Sequence, residues 1–375
     1  MEAKEKINLI ERGTEEILTS EDLKLLIESK TPLKHYIGFE ISGKIHLGTG
    51  LVCMRKVKDF MDANVRCTVF LADWHTWIND KLGGDRKVIQ AVAVGYFKEG
   101  LKASLKCVGG NPDNLDFVLG SDLYEKTPSY WDTFIEVSKN VTLARIKRSI
   151  TIMGRKEGEN VDFAKLVYPS MQVADIFAQQ INIAHAGADQ RKAHVIARDV
   201  ALKLNIKPLL DNKGNKIKPI AIHHHLLLGL GKPPVWPVPK DIPQDFWTSV
   251  KMSKSKPDTC VFIHDSPEKI KEKINKAFCL EGDITYNPIL NWAKLLIFID
   301  NTSKLEIERP PKFGGDLTIN SYENLERLFA NKEIHPMDLK NSIANKLIQL
   351  LKPAREHFST GEPKKMLERM EGLVK

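Results

Sequence analysis

The segment that most constrains the fold is a strand, a glycine-bearing turn, a helix and a second strand in close succession. Residues 34–40 (KHYIGFE) read as a buried strand. The turn Ile41-Ser42-Gly43-Lys44-Ile45-His46-Leu47-Gly48 follows, with helical periodicity over 51–61 and another strand over 67–73 (CTVFLAD). This is the start of a parallel βαβ unit, so the chain is expected to build an α/β fold around a parallel sheet. The alternation continues: helix 87–105, strand 116–119, helices 131–153 and 163–180, strand 182–185, helix 190–204 and strand 220–226. In such a doubly wound sheet, ligands bind at the carboxyl ends of the strands.

Two changes of character divide the rest. Seven prolines fall between Pro208 and Pro243. Trp236, Phe246 and Trp247 are expected to pin this stretch to the body, since a flexible linker would not need them. Near Asp265 the pattern becomes mainly helical. Ser266-Pro267-Glu268 reads as an N-cap with proline at the first helical position. An α/β domain over 1–265 and a smaller, mainly helical domain over 266–375 are expected. The helices should run 268–278, 288–299, 322–330 and 336–358.

No run of about 18 apolar residues is present, so no membrane span is expected. Residues 1–12 are charged and lack the apolar core of a signal peptide. The five cysteines (Cys53, Cys67, Cys107, Cys260, Cys279) are scattered without a CxxC pair, which suits reduced thiols in the cytoplasm. The net charge of +8 fits either a solvated surface or a polyanionic partner.

Three groups of residues carry chemistry. The first is His46-Leu47-Gly48-Thr49 on the turn after the first strand. A helix N-terminus there presents free N–H groups to phosphate, and His46 can bond a phosphate oxygen. The second is Lys251-Met252-Ser253-Lys254-Ser255, beyond the last strand. Two lysines three apart form a cationic loop able to close on a triphosphate, where leaving-group charge develops. The third is one helix face. Tyr168, Gln172 and Asp175 are spaced i, i+4, i+7 among apolar neighbours, so a buried face must satisfy a phenol, an amide and a carboxylate. Gln190 opens the next helix and can join them. His223-His224-His225 invites a metal reading. Consecutive strand residues face opposite ways, so no metal site is expected, and one imidazole is placed toward the adenine.

The HLGT and KMSKS motifs together resemble the class I aminoacyl-tRNA synthetases. The pocket face resembles the tyrosyl-tRNA synthetases of the archaeal and eukaryotic branch, over nearly the whole chain. The resemblance implies a Rossmann-like catalytic domain and a helical anticodon-binding domain. It also implies ATP with Mg²⁺ (held mainly through the phosphates), tRNA(Tyr), L-tyrosine and a homodimer. Tyr36 and Asp175 would hold the substrate phenol. Tyr168, Gln172 and Gln190 would hold its ammonium group. Gly48, Thr49, Ser253, Lys254 and Ser255 would bind ATP, with Lys254, Lys251 and His46 catalytic. Ala72-Asp73-Trp74-His75 would lie near the substrates. Arg148, in an insertion over about 120–165 that would contact the acceptor stem, and Arg191 would meet the tRNA acceptor stem. Phe313, His335 and Asp338, with Cys279 nearby, would meet the anticodon. Thr49 stands where the family usually has His, so its ATP contact is a hydrogen bond without a cation. Ile41 stands where Pro is common. The rival readings are a tryptophanyl enzyme and a non-catalytic tRNA-binding paralogue.

Overall fold

In the computed structural model, six strands form one sheet. It describes residues 1–239, 241, 244–300 and 303–374, and of 244, 245 and 313 the backbone alone. The strands are β1 (Thr14–Leu18), β2 (Lys34–Phe39), β3 (Arg66–Leu71), β4 (Leu115–Leu119), β5 (Ile183–Gly187) and β6 (Ile220–His224). Their order is β1-β6-β5-β2-β3-β4. All neighbours from β6 to β4 are parallel, and β1 is antiparallel on β6. The five strands expected from sequence are present. β1 is additional: its TEEIL carries two consecutive glutamates and little apolar alternation, which suits an edge.

The chain runs from β2 outward to β3 and β4, then returns to β5 on the other side of β2. A crevice therefore opens at the carboxyl ends of β2 and β5, the topological switch point of an α/β sheet. Strands β5 and β6 are buried at every position, as sheets covered on both faces require.

Several helices depart from simple periodicity. The first begins as a π-helical turn, Gly48–Val52, before the α-helix Cys53–Asp62. A side chain at Gly50 would come within 2.7 Å of Ser104 Oγ and 2.8 Å of Ile263 Cγ2, so only glycine lets this turn pack so closely. The expected helix 131–153 is three pieces: Tyr130–Lys139, Leu143–Ser149 and the 3₁₀ turn Ile150–Met153. Thr142 restarts the helix by accepting the Arg145 N–H at 3.3 Å.

The C-terminal part contains helices Pro267–Asn275, Pro288–Trp292, Tyr322–Ala330, Pro336–Leu350, Lys352–His357 and Gly361–Leu373. It also holds an unanticipated hairpin of β7 (Leu305–Ile307) and β8 (Leu317–Ile319). One apolar core joins Ile37 and Val69 of the sheet to Ile343, Leu347 and Met370 of these helices. The proline-rich stretch contains β6 and is packed onto the body. Its Trp236 ring lies 5.0 Å from Phe278, and the Phe246 ring 6.3 Å from Tyr286.

The N-terminal helix Ala3–Glu11 ends on a buried lysine. Lys56 Nζ donates to the carbonyls of Leu9, Ile10 and Arg12 at 3.1, 2.5 and 2.8 Å. The Asp59 carboxylate stands 3.8 Å away and also pairs with Arg12. These carbonyls are orphans of the last helical turn, and the ammonium satisfies them. Lys56→Met should cost about 3 kcal/mol, because it strands buried acceptors and a carboxylate. The denaturation midpoint reads the loss, and early proteolysis within residues 1–18 should accompany it.

Candidate functional site

A cavity of about 620 Å³ occupies the crevice at the switch point. Its lining gathers Tyr36, His46, Gly48, Thr49, Tyr168, Gln172, Asp175, Gln190, Lys251, Ser253, Lys254 and Ser255. The three sequence groups, separated by up to 200 residues, thus meet in one space.

The floor is polar and unevenly satisfied. Asp175 Oδ1 accepts from the Tyr130 hydroxyl at 3.0 Å, while Oδ2 has no hydrogen-bond partner. His75 Nε2 stands 3.6 Å from Oδ2 and is also unpartnered. Burial pushes the Asp175 carboxyl well above the usual carboxylate range. Tyr36 stands close enough for that charge to raise its phenol, after the larger effect of burial. The Tyr36 hydroxyl makes no hydrogen bond among the described residues. Buried polar groups are normally paired, so this pair of open positions marks a place for a polar ligand group.

On the same helix, Phe163–Ala178, Tyr168 donates to Glu40 Oε1 at 2.8 Å. Gln172 Nε2 donates to Gln190 Oε1 at 3.3 Å, leaving Gln172 Oε1 buried and unpaired. Gln190 Nε2 in turn donates to the Ile152 carbonyl at 2.9 Å. Glu40 was not anticipated. It directly follows β2, and burial raises its carboxyl against the hydrogen bonds of Asn79 and Tyr168 and the charges of Lys81 and Lys254. The legible signal was its place, one residue past a buried strand. Asp189, one residue before Gln190, was also missed.

The opposite wall carries the residues expected from sequence to meet phosphate. Thr49 N–H donates to His46 Nδ1 at 3.3 Å, so the imidazole proton sits on Nε2 and faces Thr49 Oγ1, also at 3.3 Å. Burial and the nearby Lys254 and Lys251 push His46 down to about 3, so the ring is neutral. Lys251 Nζ pairs with Asp189 Oδ2 at 2.5 Å. Lys254 Nζ donates to Ser42 Oγ at 2.7 Å, and burial lowers its pKa to about 8. The base of this segment is anchored, since Lys251 bridges to Leu228 and the Met252 N–H donates to Leu227 at 2.6 Å. The loop expected to close on a triphosphate is thus tethered at its start.

A row of imidazoles underlies the cavity. His35 Nε2 meets His185 Nδ1 at 3.1 Å, and His185 Nε2 meets His224 Nδ1 at 2.8 Å. His224 Nε2 lies 3.6 Å from Cys53 Sγ. His223 faces the other way, toward His194 and Glu16, and His225 is half-buried beside Glu15.

The remaining candidates lie elsewhere. Ala72 and His75 line the cavity, whereas Asp73 accepts from the Ser121 N–H at 2.9 Å. Arg148 and Arg191 are exposed and adjacent, since Lys192 donates to the Arg148 carbonyl at 2.8 Å. The Arg191 guanidinium forks onto Glu16 at 2.8–2.9 Å. His335 caps the helix Pro336–Leu350 by accepting the Met337 N–H at 3.2 Å. Asp338 sits in that helix's first turn. Cys279 is half-buried and accepts from Asn287 at 3.4 Å. The side chain of Phe313 lies outside the described residues.

Asp175 burdens the empty fold. Its folded pKa exceeds its unfolded one, so its contribution to stability falls as pH rises above the ordinary carboxyl range. Asp175→Asn keeps the acceptor for Tyr130 and gives a donor facing His75. The ligand-free variant should melt about 2 °C higher at pH 7. A calorimetric comparison at pH 5 and pH 7 should find the gain larger at pH 7.

The family model of tRNA synthetases class I (W and Y) matches residues 28–352. The tyrosine–tRNA ligase of Thermococcus sibiricus is 58% identical over 360 residues, covering 96% of both chains. The crystal structure of Pyrococcus horikoshii tyrosyl-tRNA synthetase complexed with L-tyrosine superposes with a TM-score of 0.96 at 54% identity, covering 99% of this chain and 100% of that one. The Aeropyrum pernix tyrosyl-tRNA synthetase superposes at 0.82 with 38% identity, covering 99% of each. These matches overturn both the tryptophanyl and the non-catalytic alternatives. The chain belongs to the class I tRNA synthetases and, within them, to the archaeal type of tyrosine–tRNA ligase.

Proposed function

We propose that the residues lining this cavity activate L-tyrosine with ATP and pass the tyrosyl group to the 3′ end of tRNA(Tyr). The observation that carries the assignment is the pair of open polar positions at Tyr36 and Asp175 Oδ2. A phenol hydroxyl entering there donates to Asp175 and accepts from Tyr36. A phenylalanine ring would leave both buried and unpaired, a discrimination for which tyrosine-activating enzymes are themselves the standard illustration. Tyr168, Gln172 and Gln190 hold the α-ammonium group, with the open Gln172 Oε1 as an acceptor.

Activation needs no covalent nucleophile from the protein. The tyrosine carboxylate attacks the α-phosphate of ATP, and pyrophosphate leaves. Catalysis then rests on alignment and on charge placed where the leaving group becomes more negative. Lys254 and Lys251 supply that charge after parting from Ser42 and Asp189. His46 is neutral and donates from Nε2 without adding charge. Gly48, Thr49, Ser253 and Ser255 complete the ATP contacts. Among the described residues, no cluster of three or more His, Cys, Asp or Glu could hold a metal. Mg²⁺ would arrive on the ATP phosphates.

Acceptor-stem contact is assigned to Arg148 and Arg191, and anticodon contact to Phe313, His335 and Asp338, with Cys279 nearby. Arg191 must leave Glu16 to make its contact. The chain is read as a homodimer, with the exposed Trp131 and Ile135 of the helix Tyr130–Lys139 offering an apolar face. Light scattering should give twice the chain mass, and a monomer mass would remove that part of the reading. The free cysteines suit a cytoplasmic location, and no described helix is long and apolar enough to cross a membrane.

Tyrosine-dependent ATP–pyrophosphate exchange tests the assignment directly. Exchange with tryptophan alone, or with no amino acid, would refute it. Lys254→Ala should lower kcat by about 10²–10³-fold while tyrosine binding stays unchanged. The charged lysine is the active form, so kcat/KM for ATP should fall as pH rises through about 8.

A further inference from the structure

The helix Gly361–Leu373 lies at the far end of the sequence from the cavity, yet it touches both seats of Lys254. The first seat is the turn after β2, where Ser42 Oγ receives the Lys254 ammonium at 2.7 Å. The next residue, Gly43, has φ +123°, and a Cβ built there would lie 3.5 Å from Lys254 Cδ and 3.6 Å from Val374 Cγ1. The turn is therefore held between the lysine and the end of the C-terminal helix. Lys44 continues the clasp, with Nζ 3.7 Å from Glu371 Oε1 and 4.6 Å from the centre of the Phe262 ring. Phe262 pairs through its backbone with His46.

The second seat is the π-helical turn Ala93–Phe97. The Phe97 ring lies 5.8 Å beneath the Lys254 ammonium. Tyr96 accepts the Ile45 N–H at 3.0 Å and its hydroxyl faces His264 Nε2 at 3.1 Å, so this turn also fixes the His46 segment. The C-terminal helix packs on this turn at Gly95, where the place of a Cβ lies 3.7 Å from Met366 Sδ. Met370 is buried, and Met366 and Leu367 pack against the common core.

We propose that the helix Gly361–Leu373 is a positioning element for Lys254. Met366 steadies the π-turn that carries Phe97, and Glu371 with Val374 steadies the turn that carries Ser42. No residue of the helix lines the cavity. It sets where the lysine starts and how far it travels to the leaving pyrophosphate. An exposed ion pair contributes little, so the packing of Met366 is the larger part. The inference rests on the role given above to Lys254.

The test is a double-mutant cycle in tyrosine-dependent pyrophosphate exchange, run well below the melting temperature. Met366→Ala should lower kcat about tenfold, since small misplacements of catalytic groups carry costs of this order. Tyrosine affinity should stay unchanged. In a Lys254→Ala background, Met366→Ala should change kcat less than twofold. An equal tenfold loss in both backgrounds would mean that the helix acts by another route. An unchanged kcat in a folded Met366→Ala protein would overturn the proposal outright. If Met366→Ala does not fold, Met366→Leu takes its place in the same cycle: a smaller loss of kcat that disappears in the Lys254→Ala background supports the proposal, and an unchanged kcat or an equal loss in both backgrounds overturns it. Full activity in Lys254→Ala alone would instead refute the lysine's role.

Discussion

Strand β2 is hydrogen-bonded in parallel on both edges, to β3 and to β5. Every functional contact depends on that arrangement. The two neighbours leave in opposite directions around the sheet, so their connecting loops cannot cover the carboxyl end of β2. The chain emerging there, Glu40 to Gly48, becomes one wall of the cavity. The residues leaving β5, Gly187 to Gln190, become another. β2 also contributes Tyr36 from within its hydrogen-bonded length, which gives that hydroxyl a rigid mounting. A recognition group held on a strand is better fixed than one on a loop.

The electrostatics of the cavity divide along the same line. On the amino-acid side, burial makes charge costly and leaves open hydrogen-bond positions. On the phosphate side, two lysines rest against Asp189 and Ser42. In the proposed reaction each would exchange a protein partner for the triphosphate. Replacing a carboxylate for Lys251, and a hydroxyl for Lys254, with phosphate oxygens keeps each ammonium hydrogen-bonded throughout, so no bare charge forms in a partly buried site.

Much of this was legible in sequence because it rests on periodicity and on motif chemistry. The helix face Tyr168, Gln172, Asp175 follows from a 3.6-residue repeat, and the strands over 34–40 and 67–73 from apolar runs between turn residues. What escaped has physical reasons. β1 is short, acidic and stabilised by its partner β6. The π-turns at Gly48–Val52 and Ala93–Phe97 leave helical periodicity almost unchanged. Glu40 and Asp189 belong to no motif, and their importance comes from what the fold brings opposite them. The shared core between sheet and C-terminal helices was likewise hidden, because each helix shows which face is apolar but not what covers it.

The row His35, His185, His224, Cys53 crosses three strands beneath the cavity. Burial lowers all three imidazoles, so each carries a single proton. The Cys53 thiol donates to the Gly48 carbonyl at 3.3 Å, which leaves its sulfur free to accept from His224. Each ring then donates from Nε2 and accepts at Nδ1, and the row ends at His35 Nδ1, which has no partner. Such a row has one direction. Turning a single ring would set donor against donor or acceptor against acceptor at the next link. The strands beneath the nucleotide wall are therefore registered by side chains as well as by backbone, and a slip of one residue in β5 would break two links at once.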